Sequence, residues 1–450
     1  MLSAFVNSFK IEELRQRILF TFGILFLCRV LANIPIAGVD FGMITRTIEE
    51  AAANGKGGGF LDMFNLFSGG AVKNCAVGAL GIMPYISASI IIQLMTAVVP
   101  SLEKLAREGE AGRAKITQYT RYLTVILCAF QSFVLARALM TNGLGFFDPA
   151  IVRIPGIGFL LLTTMTMVTG TLMMMWLGEQ ITERGIGNGI SMIITVNIIS
   201  RLPAAVSALI DMFKPVDGVM RYSPFMAVTM AIMILAVIAG VVAVINAQQK
   251  VPVQYAKRVV GNKTMSNPNS FMPLRVNYAG VMPIIFAQAI LMFPSKLFGM
   301  LPWDKAKQIG AALNYGTPLY MTVFGLMIVF FSYFWVATQF NPIQIADNLK
   351  KGGAYIPGIR PGKPTAEFLD RAMTRITLAG ALFLTVIAVL PTTISRQFGI
   401  PFTVSQFFGG TSMLIMVGVM LDTMRQIESY LLMRHYDGFL KKGKLKSGRR

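Results

Sequence analysis

The side chains that most often perform enzymatic chemistry are scarce in this sequence. Its one histidine, His435, lies in the C-terminal tail, and its three cysteines show no CxxC spacing. A histidine-based metal site needs several such ligands, and serine–histidine catalysis needs a histidine near its nucleophile. The sequence therefore predicts no catalytic residues, no metal and no cofactor. The cysteines are Cys28, Cys75 and Cys128.

The rest of the chain is mostly apolar, which restricts the class of protein. Hydrophobic residues make up 54% of the 450 residues, charged residues 14%, and the mean hydropathy is +0.61. A soluble protein could not bury so much apolar surface, whereas lipid replaces water around a membrane protein. Ten apolar runs are long enough to cross a membrane as helices. They are residues 18–36, 75–99, 117–139, 156–178, 186–210, 225–245, 277–297, 319–339, 372–392 and 404–424.

The distribution of positive charge predicts the orientation of these spans. If the ten spans alternate in direction, most of the 41 lysines and arginines fall on the side that holds both termini. Because cytoplasmic loops carry an excess of Lys and Arg, we expect both termini in the cytoplasm. The first run, residues 18–36, is longer than a signal-peptide core, and we expect it to be retained as a span.

Two of the runs contain the same unusual motif. Residues 81–88 read GIMPYISA in span 2, and residues 280–287 read GVMPIIFA in span 7. A separation of five spans means that the two copies cross the membrane in opposite directions, as in an inverted duplication. Chance similarity between two apolar helices is the alternative. A duplication predicts an N-terminal half, a C-terminal half and a working site between them, followed by a basic tail. These segments are residues 1–215, 216–430 and 431–450.

One apolar stretch is too short to cross the membrane. Residues 60–72, FLDMFNLFSGGAV, offer less than half the length of a span before Gly69 and Gly70 interrupt the helix. A re-entrant half-helix surrounded by protein or a cavity is one interpretation. A helix that lies at the membrane surface is the other.

The spans contain little charge but several uncharged polar residues. Arg29 is the only charged side chain well inside a span, and two turns of helix could bring it towards an edge. Polar side chains in a span turn away from lipid, either to bond a neighbouring helix or to line a wet path. They are Ser87, Ser89, Gln93, Gln131, Asn188, Ser191, Asn197 and Gln288.

Isoleucines recur at four-residue spacing beside these polar positions. Such a stripe faces lipid, packs against protein, or forms a hydrophobic constriction that closes a pore by dewetting. The stripe of span 2 is Ile82, Ile86 and Ile90, and that of span 5 is Ile190, Ile194 and Ile198.

Two cytoplasmic loops are larger than a connection requires. Residues 248–276 carry five basic side chains and no acidic one, and residues 340–371 carry prolines and glycines around Arg360. Because proline restricts the backbone, we interpret these loops as docking surfaces for RNA or for an acidic protein face. The alternative is that their charge only sets the topology. The basic tail is also suited to anionic lipid headgroups.

Six motifs together resemble the SecY family, whose members form the channel of the bacterial general secretory translocon. They follow the family's order along essentially the whole chain: NLFSGGA, GIMPYISASIIIQL, EGEAGRAKITQYTRY, WLGEQITERGIGNGIS, NLKKGGAYIPGIRPG and FGGTSMLI. The resemblance implies an all-α polytopic membrane protein. Its ten transmembrane helices would form a clamshell of two inverted five-helix halves, with a re-entrant plug half-helix. Gln344 departs from the family pattern, in which many members have Glu, and leaves details of motor contact open.

The resemblance also implies roles for individual residues. The pore ring would be Ile82, Ile86, Ile190, Ile194, Ile285 and Ile415. The lateral gate, a seam that opens towards lipid, would include Ser87, Gln93, Gln131, Asn277 and Phe293. The plug would include Phe60, Leu61, Asp62, Met63, Phe64, Asn65, Leu66, Phe67, Ser68, Gly69 and Gly70. The loops offered to the ribosome and to the motor SecA would present Lys257, Arg258 and Arg360.

The function implied is a passive protein-conducting channel in the cytoplasmic membrane of a bacterium. It would pass unfolded polypeptides and release apolar segments sideways into lipid. Its partners would be the membrane subunits SecE and SecG, SecA, the ribosome, the secretory polypeptide with its signal sequence, and membrane lipids. Two other classes compete on the residues alone. A secondary transporter would usually need buried charges, and an intramembrane hydrolase is disfavoured by the single histidine in the tail.

Overall fold

The computed structural model describes the chain as a series of long helices. The described residues are 11–40, 42–44, 65, 67–141, 151–214, 224–255, 259–260, 263–264, 270–300, 304–313, 317–398, 400, 404, 407 and 411–442. The helices are α1 (Glu12–Leu31), α2 (Met83–Val98), α3 (Pro100–Arg107), α4 (Glu110–Thr141), α5 (Ile157–Arg184), α6 (Gly189–Ile199), α7 (Leu202–Phe213), α8 (Pro224–Asn246), α9 (Met282–Met300), α10 (Asp304–Ala312), α11 (Pro318–Gln339), α12 (Pro342–Lys351), α13 (Lys363–Gln397) and α14 (Thr411–Lys442). Each of the ten predicted spans overlaps a helix, and the fifth overlaps both α6 and α7.

Length and composition identify helices that can cross a membrane by themselves. Within the described residues, six segments satisfy both criteria: Glu110–Thr141, Ile157–Arg184, Gly189–Phe213, Phe225–Asn246, Pro318–Lys351 and Lys363–Ile394. A seventh is added if α2 and α3 are counted as one span that bends by 103° between them. Because helices satisfy their own backbone hydrogen bonds, such segments are stable in lipid. The chain is an all-α polytopic membrane protein.

The outward faces of several helices are suited to lipid. Phe26 on α1 is 69% exposed, and Ile126 and Phe130 on α4 are each 65% exposed. Hydrocarbon is the favourable solvent for such side chains. Threonine hydroxyls on the same helices bond within the helix, as Thr124 Oγ1 does by donating to the carbonyl of Thr120 at 2.7 Å. The helices therefore leave few of their own polar groups in need of water.

The chain divides into two compact units. Unit 1 comprises Met1–Ser207 and Val419–Arg450, and unit 2 comprises Ala208–Gly418. The helices α7 and α14 each contribute residues to both units. The predicted halves, 1–215 and 216–430, differ from these units chiefly in the assignment of the last helix. That division into halves stays a prediction.

Unit 2 also contains short strands, which the sequence analysis did not predict. They are β1 (Gln248–Tyr255), β2 (Val259–Val260), β3 (Lys263–Thr264), β4 (Ser270–Arg275) and β5 (Ala354–Tyr355). All pairs are antiparallel: β1 pairs with β4 and β5, and β2 pairs with β3. Val251, Leu274 and Phe340 belong to the apolar core beside the larger sheet. The two long loops, 248–276 and 340–371, are thus joined in one small sheet.

Candidate functional site

The repeated motif produces the same local structure in both units. Gly81 and Gly280 have positive φ angles, +56° and +63°, which glycine adopts without the clash of a Cβ atom. Two residues later α2 and α9 begin, each with proline as its second residue. Proline suits this place because the first N–H groups of a helix have no partner within the helix. The motif therefore starts a helix directly after a turn of the chain.

The chain that leads to the motif is also held alike in the two units. A valine lies four residues before the glycine of each motif. Val77 donates its N–H to the carbonyl of Ile34 at 2.8 Å, and Val276 donates its N–H to the carbonyl of Ala247 at 2.9 Å. Ile34 follows α1 and Ala247 follows α8, which are spans 1 and 6. Each repeated helix is thus tied to the chain that leaves the preceding span.

The carbonyl groups of the same two valines face glycines of a further helix. A Cβ atom at Gly170 on α5 would overlap the carbonyl of Val77, and one at Gly380 on α13 would lie 2.5 Å from the carbonyl oxygen of Val276. Any larger residue would push the chain away at this point. The helices α5 and α13 are spans 4 and 9, so these contacts too recur after five spans.

Five of the six predicted pore-ring isoleucines have little exposed surface. In unit 1, Ile82 and Ile190 both lie within 4 Å of the position that a Cβ atom would take at Gly178 on α5. These two side chains, from α6 and from the residue that precedes α2, therefore meet at one point of α5. Ile190 is half-buried, and five members are 4% exposed or less: Ile82, Ile86, Ile194, Ile285 and Ile415. Ile285 and Ile415 belong to unit 2, and the closed ring stays a prediction.

The predicted plug lies partly within the described residues. Asn65 and Phe67 are helical and buried, and the chain then turns through Gly69 and Gly70, with φ angles of +65° and +98°. The N–H of Gly70 donates to the carbonyl of Asn65 at 2.9 Å, which closes this turn. Ser68 is 1% exposed. Outside the described residues lie Phe60, Leu61, Asp62, Met63, Phe64 and Leu66.

The predicted lateral-gate residues of unit 1 are polar side chains on α2 and α4. Gln93 Nε2 donates to Ser89 Oγ on its own helix at 3.2 Å. Ser87 Oγ and Gln131 Oε1 are buried and have no hydrogen-bond partner among the described residues. Because an unpaired buried polar atom costs free energy, both atoms favour the arrival of a polar partner.

The predicted gate residues of unit 2 flank α9. Asn277 is 8% exposed, and its Nδ2 donates to the carbonyl of Gly280 at 3.0 Å, which stabilises the turn before the helix. Phe293 lies on α9, and its side chain is outside the described part of the chain. Gln288 on the same helix is 2% exposed, and neither atom of its amide is paired among the described residues.

Of the three predicted partner-binding residues, the structure describes one. Arg360 is exposed between β5 and α13, and its carbonyl accepts a hydrogen bond from Thr365 Oγ1 at 2.8 Å. The side chain of Arg360 is thus presented on a loop whose backbone is fixed. Lys257 and Arg258 lie outside the described residues.

Four residues of this region received no role from the sequence. Gly170 and Gly380 are ordinary glycines of apolar runs until the structure places them against a carbonyl group. Arg29 and Asn197 are isolated polar residues until the structure brings both to the plug segment. The usable signals were the charge of Arg29 inside a span and the polar amide of Asn197 in span 5.

Comparison with known proteins identifies the family. A family model described as SecY matches residues 76–424. Protein translocase subunit SecY from Escherichia coli (strain K12) is 43% identical over 438 residues, covering 96% of this chain and 95% of the relative. Protein translocase subunit SecY from Mycobacterium tuberculosis (strain ATCC 25618 / H37Rv) is 45% identical over 456 residues, covering 98% of this chain and 100% of the relative.

Solved structures share the fold. One, described as the structure of a protein conducting channel, aligns with a TM-score of 0.61 at 18% identity, over 96% of this chain and 94% of the other. Sec61 in the canine ribosome-channel complex from the endoplasmic reticulum aligns with a TM-score of 0.57 at 17% identity, over the same shares. At these identities the likeness concerns the fold alone. The family model, however, covers well over half of the residues, and the relatives cover nearly all of them, so this chain belongs to the SecY family.

Proposed function

We propose that this chain is the channel-forming subunit of a bacterial protein translocase. It conducts unfolded polypeptides across the membrane and releases apolar segments sideways into lipid. The observation that carries the proposal is membership of the SecY family over nearly the whole chain, since the relatives above are protein translocase subunits. Conduction forms and breaks no covalent bond, so this subunit is a passive channel and not an enzyme.

The seal of the channel is assigned to the isoleucine ring. Apolar rings exclude water and ions by dewetting, and they impose no sequence requirement on a passing chain. The low exposure of five of the six side chains supports this role. The plug, residues 60–72, closes the passage further when no polypeptide is present. The ring consists of Ile82, Ile86, Ile190, Ile194, Ile285 and Ile415.

The lateral gate is assigned to α2 and α9, the two helices that share the repeated motif. A leucine or isoleucine gains about 0.3–0.6 kcal/mol on entering the membrane as part of a helix. The channel therefore needs only to expose an apolar segment to lipid, without supplying energy. The unpaired oxygens of Ser87 and Gln131 support a seam at which polar groups of a passing chain are accommodated.

The partners and the location follow from the family and from the charge. The loops that carry Lys257, Arg258 and Arg360 dock the ribosome and the motor SecA, and the subunits SecE and SecG complete the channel in the membrane. The excess of Lys and Arg on one side of the predicted spans supports cytoplasmic termini, with the channel in the cytoplasmic membrane of a bacterium. The basic tail, residues 431–450, contacts anionic lipid.

Reconstitution tests this function directly. The chain, purified with SecE and SecG, is placed in liposomes with SecA, ATP and an unfolded secretory polypeptide. We expect the polypeptide to become protected from added protease only when SecA and ATP are both present. Uptake of a small solute without any partner protein, combined with no protection, would instead identify a secondary transporter.

A disulfide across the gate tests the assignment of α2 and α9. The double variant Ser87→Cys, Phe293→Cys is expected to crosslink under oxidation and to stop export, and reduction should restore export. The native thiols will not compete, since Cys28, Cys75 and Cys128 are 2% exposed or less. Each single variant is the control. Complete crosslinking with undiminished export rules out a gate at this seam.

A further inference from the structure

A charged side chain reaches the plug segment from inside a span. Arg29 lies in the last turn of α1 and is half-buried. Its Nη1 donates to the carbonyl of Gly69 at 3.1 Å and to Asn197 Oδ1 at 3.3 Å. Within the described residues, no carboxylate lies at ion-pair distance from this guanidinium. A cation in a span is costly unless it has partners, and those seen for Arg29 are two neutral oxygens, one at the end of the plug and one on the Asn197 side chain of α6.

Asn197 makes the second contact with the same segment. Its side chain on α6 is 1% exposed, and its Nδ2 donates to the carbonyl of Phe67 at 2.8 Å. The amide therefore lies between Arg29 and the plug backbone, accepting from one and donating to the other. Both hydrogen bonds to the plug end on backbone carbonyls, so they fix the path of the chain.

Gly69 makes this close approach possible. Its φ angle is +65°, and a Cβ atom there would overlap Arg29 Nη1 and lie 2.9 Å from Asn197 Oδ1. Any other residue would push away both side chains that hold the segment. The glycine is therefore required for contact as well as for the turn.

The chain just beyond is held by a different kind of bond. Three backbone hydrogen bonds join residues 75–78 to residues 31–36: Ile36 N to Cys75 O at 2.9 Å, Val77 N to Ile34 O at 2.8 Å, and Gly78 N to Leu31 O at 3.1 Å. The backbone bonds of this ladder break only if residues 75–78 move away from residues 31–36. The contacts of Arg29 and Asn197 with the plug segment, by contrast, are made by side chains. A change of rotamer releases them, and the only loss is a few hydrogen bonds.

We propose that Arg29 and Asn197 form a latch that holds the plug closed, and that residues 75–78 are the fixed pivot about which it moves. This inference rests on the proposed channel function, because a closed plug is one that blocks the channel. When the plug leaves, the bonds to Phe67 and Gly69 break and the ladder at 75–78 remains. Arg29 and Asn197 are thus positioning residues for the seal and need not touch the passing polypeptide.

Thiol labelling separates the latch from the pivot. The reporter Ser68→Cys lies between the two latched carbonyls, and Cys75 is a native thiol in the pivot; both positions are buried, at 1% and 2% exposure. In the complex with SecE and SecG, Asn197→Ala should raise the maleimide reaction rate of the reporter about tenfold, as expected for loss of a buried hydrogen bond. The rate at Cys75 should stay unchanged.

Variants of Arg29 and a matched control complete the test. Arg29→Gln should act like Asn197→Ala, whereas Arg29→Lys, which keeps a charged donor, should restore part of the protection. The control is Asn33→Ala, which removes an amide that donates to the carbonyl of Arg29 and accepts from Asn74 Nδ2, and which leaves the bonds to Phe67 and Gly69 in place. It should label like the parent. If the Arg29 variants fail to fold, Asn197→Ala still tests the latch, since it changes only neutral groups.

Two outcomes would overturn the inference, and both differ from failure of the proposed function. If the reporter labels at the parent rate in Asn197→Ala and Arg29→Gln, there is no latch. If Cys75 reacts as fast as the reporter, there is no pivot. A higher ion conductance of the idle channel in the latch variants is also expected. A parent complex that neither conducts nor exports polypeptide refutes the channel itself, whatever the labelling shows.

Discussion

The two copies of the motif begin with the same anchor, by which we mean the motif glycine, the valine four residues before it, and the glycine of a further helix that the valine carbonyl faces. They differ in the segment that precedes this anchor. In both, a glycine with positive φ precedes the helix, and a valine four residues earlier bonds the chain beyond the previous span. In unit 1 the anchor follows the compact turns of the plug segment. In unit 2 it follows the antiparallel ladder of β1 and β4. The anchor is therefore the part that recurs in both units, and the segment before it differs between them.

This difference suggests how one structural element serves two tasks. The anchor fixes where each repeated helix begins, and it needs only a few backbone contacts. The segment before it is free to vary, because its own hydrogen bonds do not contribute to the helix. In unit 1 the described residues of that segment, 65 and 67–72, are buried, which fits the proposed plug. In unit 2 it is long and basic, and its described residues are partly exposed, which fits the proposed docking surface.

The strongest test of the shared anchor is to replace the glycines of α5 and α13 that face the valine carbonyls. Gly170→Val and Gly380→Val each place side-chain atoms against a valine carbonyl, which has no rotamer to change. We expect each to destabilise its unit by about 3 kcal/mol or more, at the upper end for overpacked sites. Thermal unfolding in detergent and the yield of folded protein measure the effect. Gly158→Val on α5, where nothing lies within 4 Å of the added atom, is the matched control and should be tolerated. A large loss at only one of the two glycines would show that the anchors are not equivalent.

The spans could be predicted from the sequence, whereas these anchors could not. Hydropathy over about 20 residues locates an apolar helix because lipid contact depends on composition alone. The contact of Gly170 with Val77 depends on how two helices pack, and nothing in the composition of either one distinguishes it. The motif glycines, Gly81 and Gly280, could be predicted in part, since the proline that follows each of them indicates a helix start nearby.

The second prediction concerns the segment before the copy in unit 2. Arg360 lies on the loop that follows β5, and β5 pairs with β1 of the ladder. Arg360→Glu reverses a charge on a proposed docking surface and leaves the backbone bond to Thr365 intact. We expect SecA-driven export to fall about tenfold or more, because like charges at an interface repel by several kcal/mol. The thermal stability should not change.

The matched control for Arg360 is Lys363→Glu, an equal charge change at an exposed site three residues away. Protease protection of a secretory polypeptide in vesicles is the readout for both variants. Equal loss in both would indicate a general effect of loop charge. Normal export by Arg360→Glu would mean that the charge of the loop serves topology only. The structural difference between this loop and the plug would then not correspond to a difference in function.

The strands and the plug contacts show a second limit of the sequence. The segment QQKVPVQY contains a proline, which normally argues against a strand, yet Pro252 pairs with Phe271 in the ladder. Arg29 and Asn197 are 168 residues apart and meet only because α1 and α6 are neighbours. Local propensity cannot reveal contacts that depend on tertiary structure. The isoleucine stripes were visible because they repeat within one helix.

The third prediction compares the two motif glycines directly. Gly81→Ala and Gly280→Ala force a Cβ atom into the left-handed region, which costs about 1–2 kcal/mol at each site. Because the local structures match, the two losses of unfolding free energy should be similar. Gly81→Asn and Gly280→Asn should cost less, since asparagine tolerates this region. Thermal unfolding of the four variants is the measurement. A loss at Gly81 much greater than that at Gly280 would mean that the plug adds strain to the first turn.

The smallest expected effect concerns a polar link that is present in unit 1. Asp40, beyond α1, accepts a hydrogen bond from Arg153 Nη2 at 3.2 Å, and this bond is the main cause that lowers the pKa of Asp40, with the N–H groups of Met43 and Gly42 next. A lowered pKa stabilises the folded state above the ordinary pKa of about 3.9. That stabilisation is lost as the pH falls through the folded value.

Arg153→Gln should therefore lower the melting temperature slightly and by a constant amount at neutral and mildly acidic pH, and the difference from the parent should shrink below about pH 4. Asp40→Asn keeps an acceptor for the N–H of Gly42 and removes the charge, so its difference from the parent should be similarly small at neutral pH and should also shrink below about pH 4. The ladder of β1 and β4 in unit 2 is built from backbone hydrogen bonds, which do not titrate. A difference that persists unchanged at low pH would show that Arg153 acts through packing, and the link in unit 1 would then be as insensitive to protons as the ladder in unit 2.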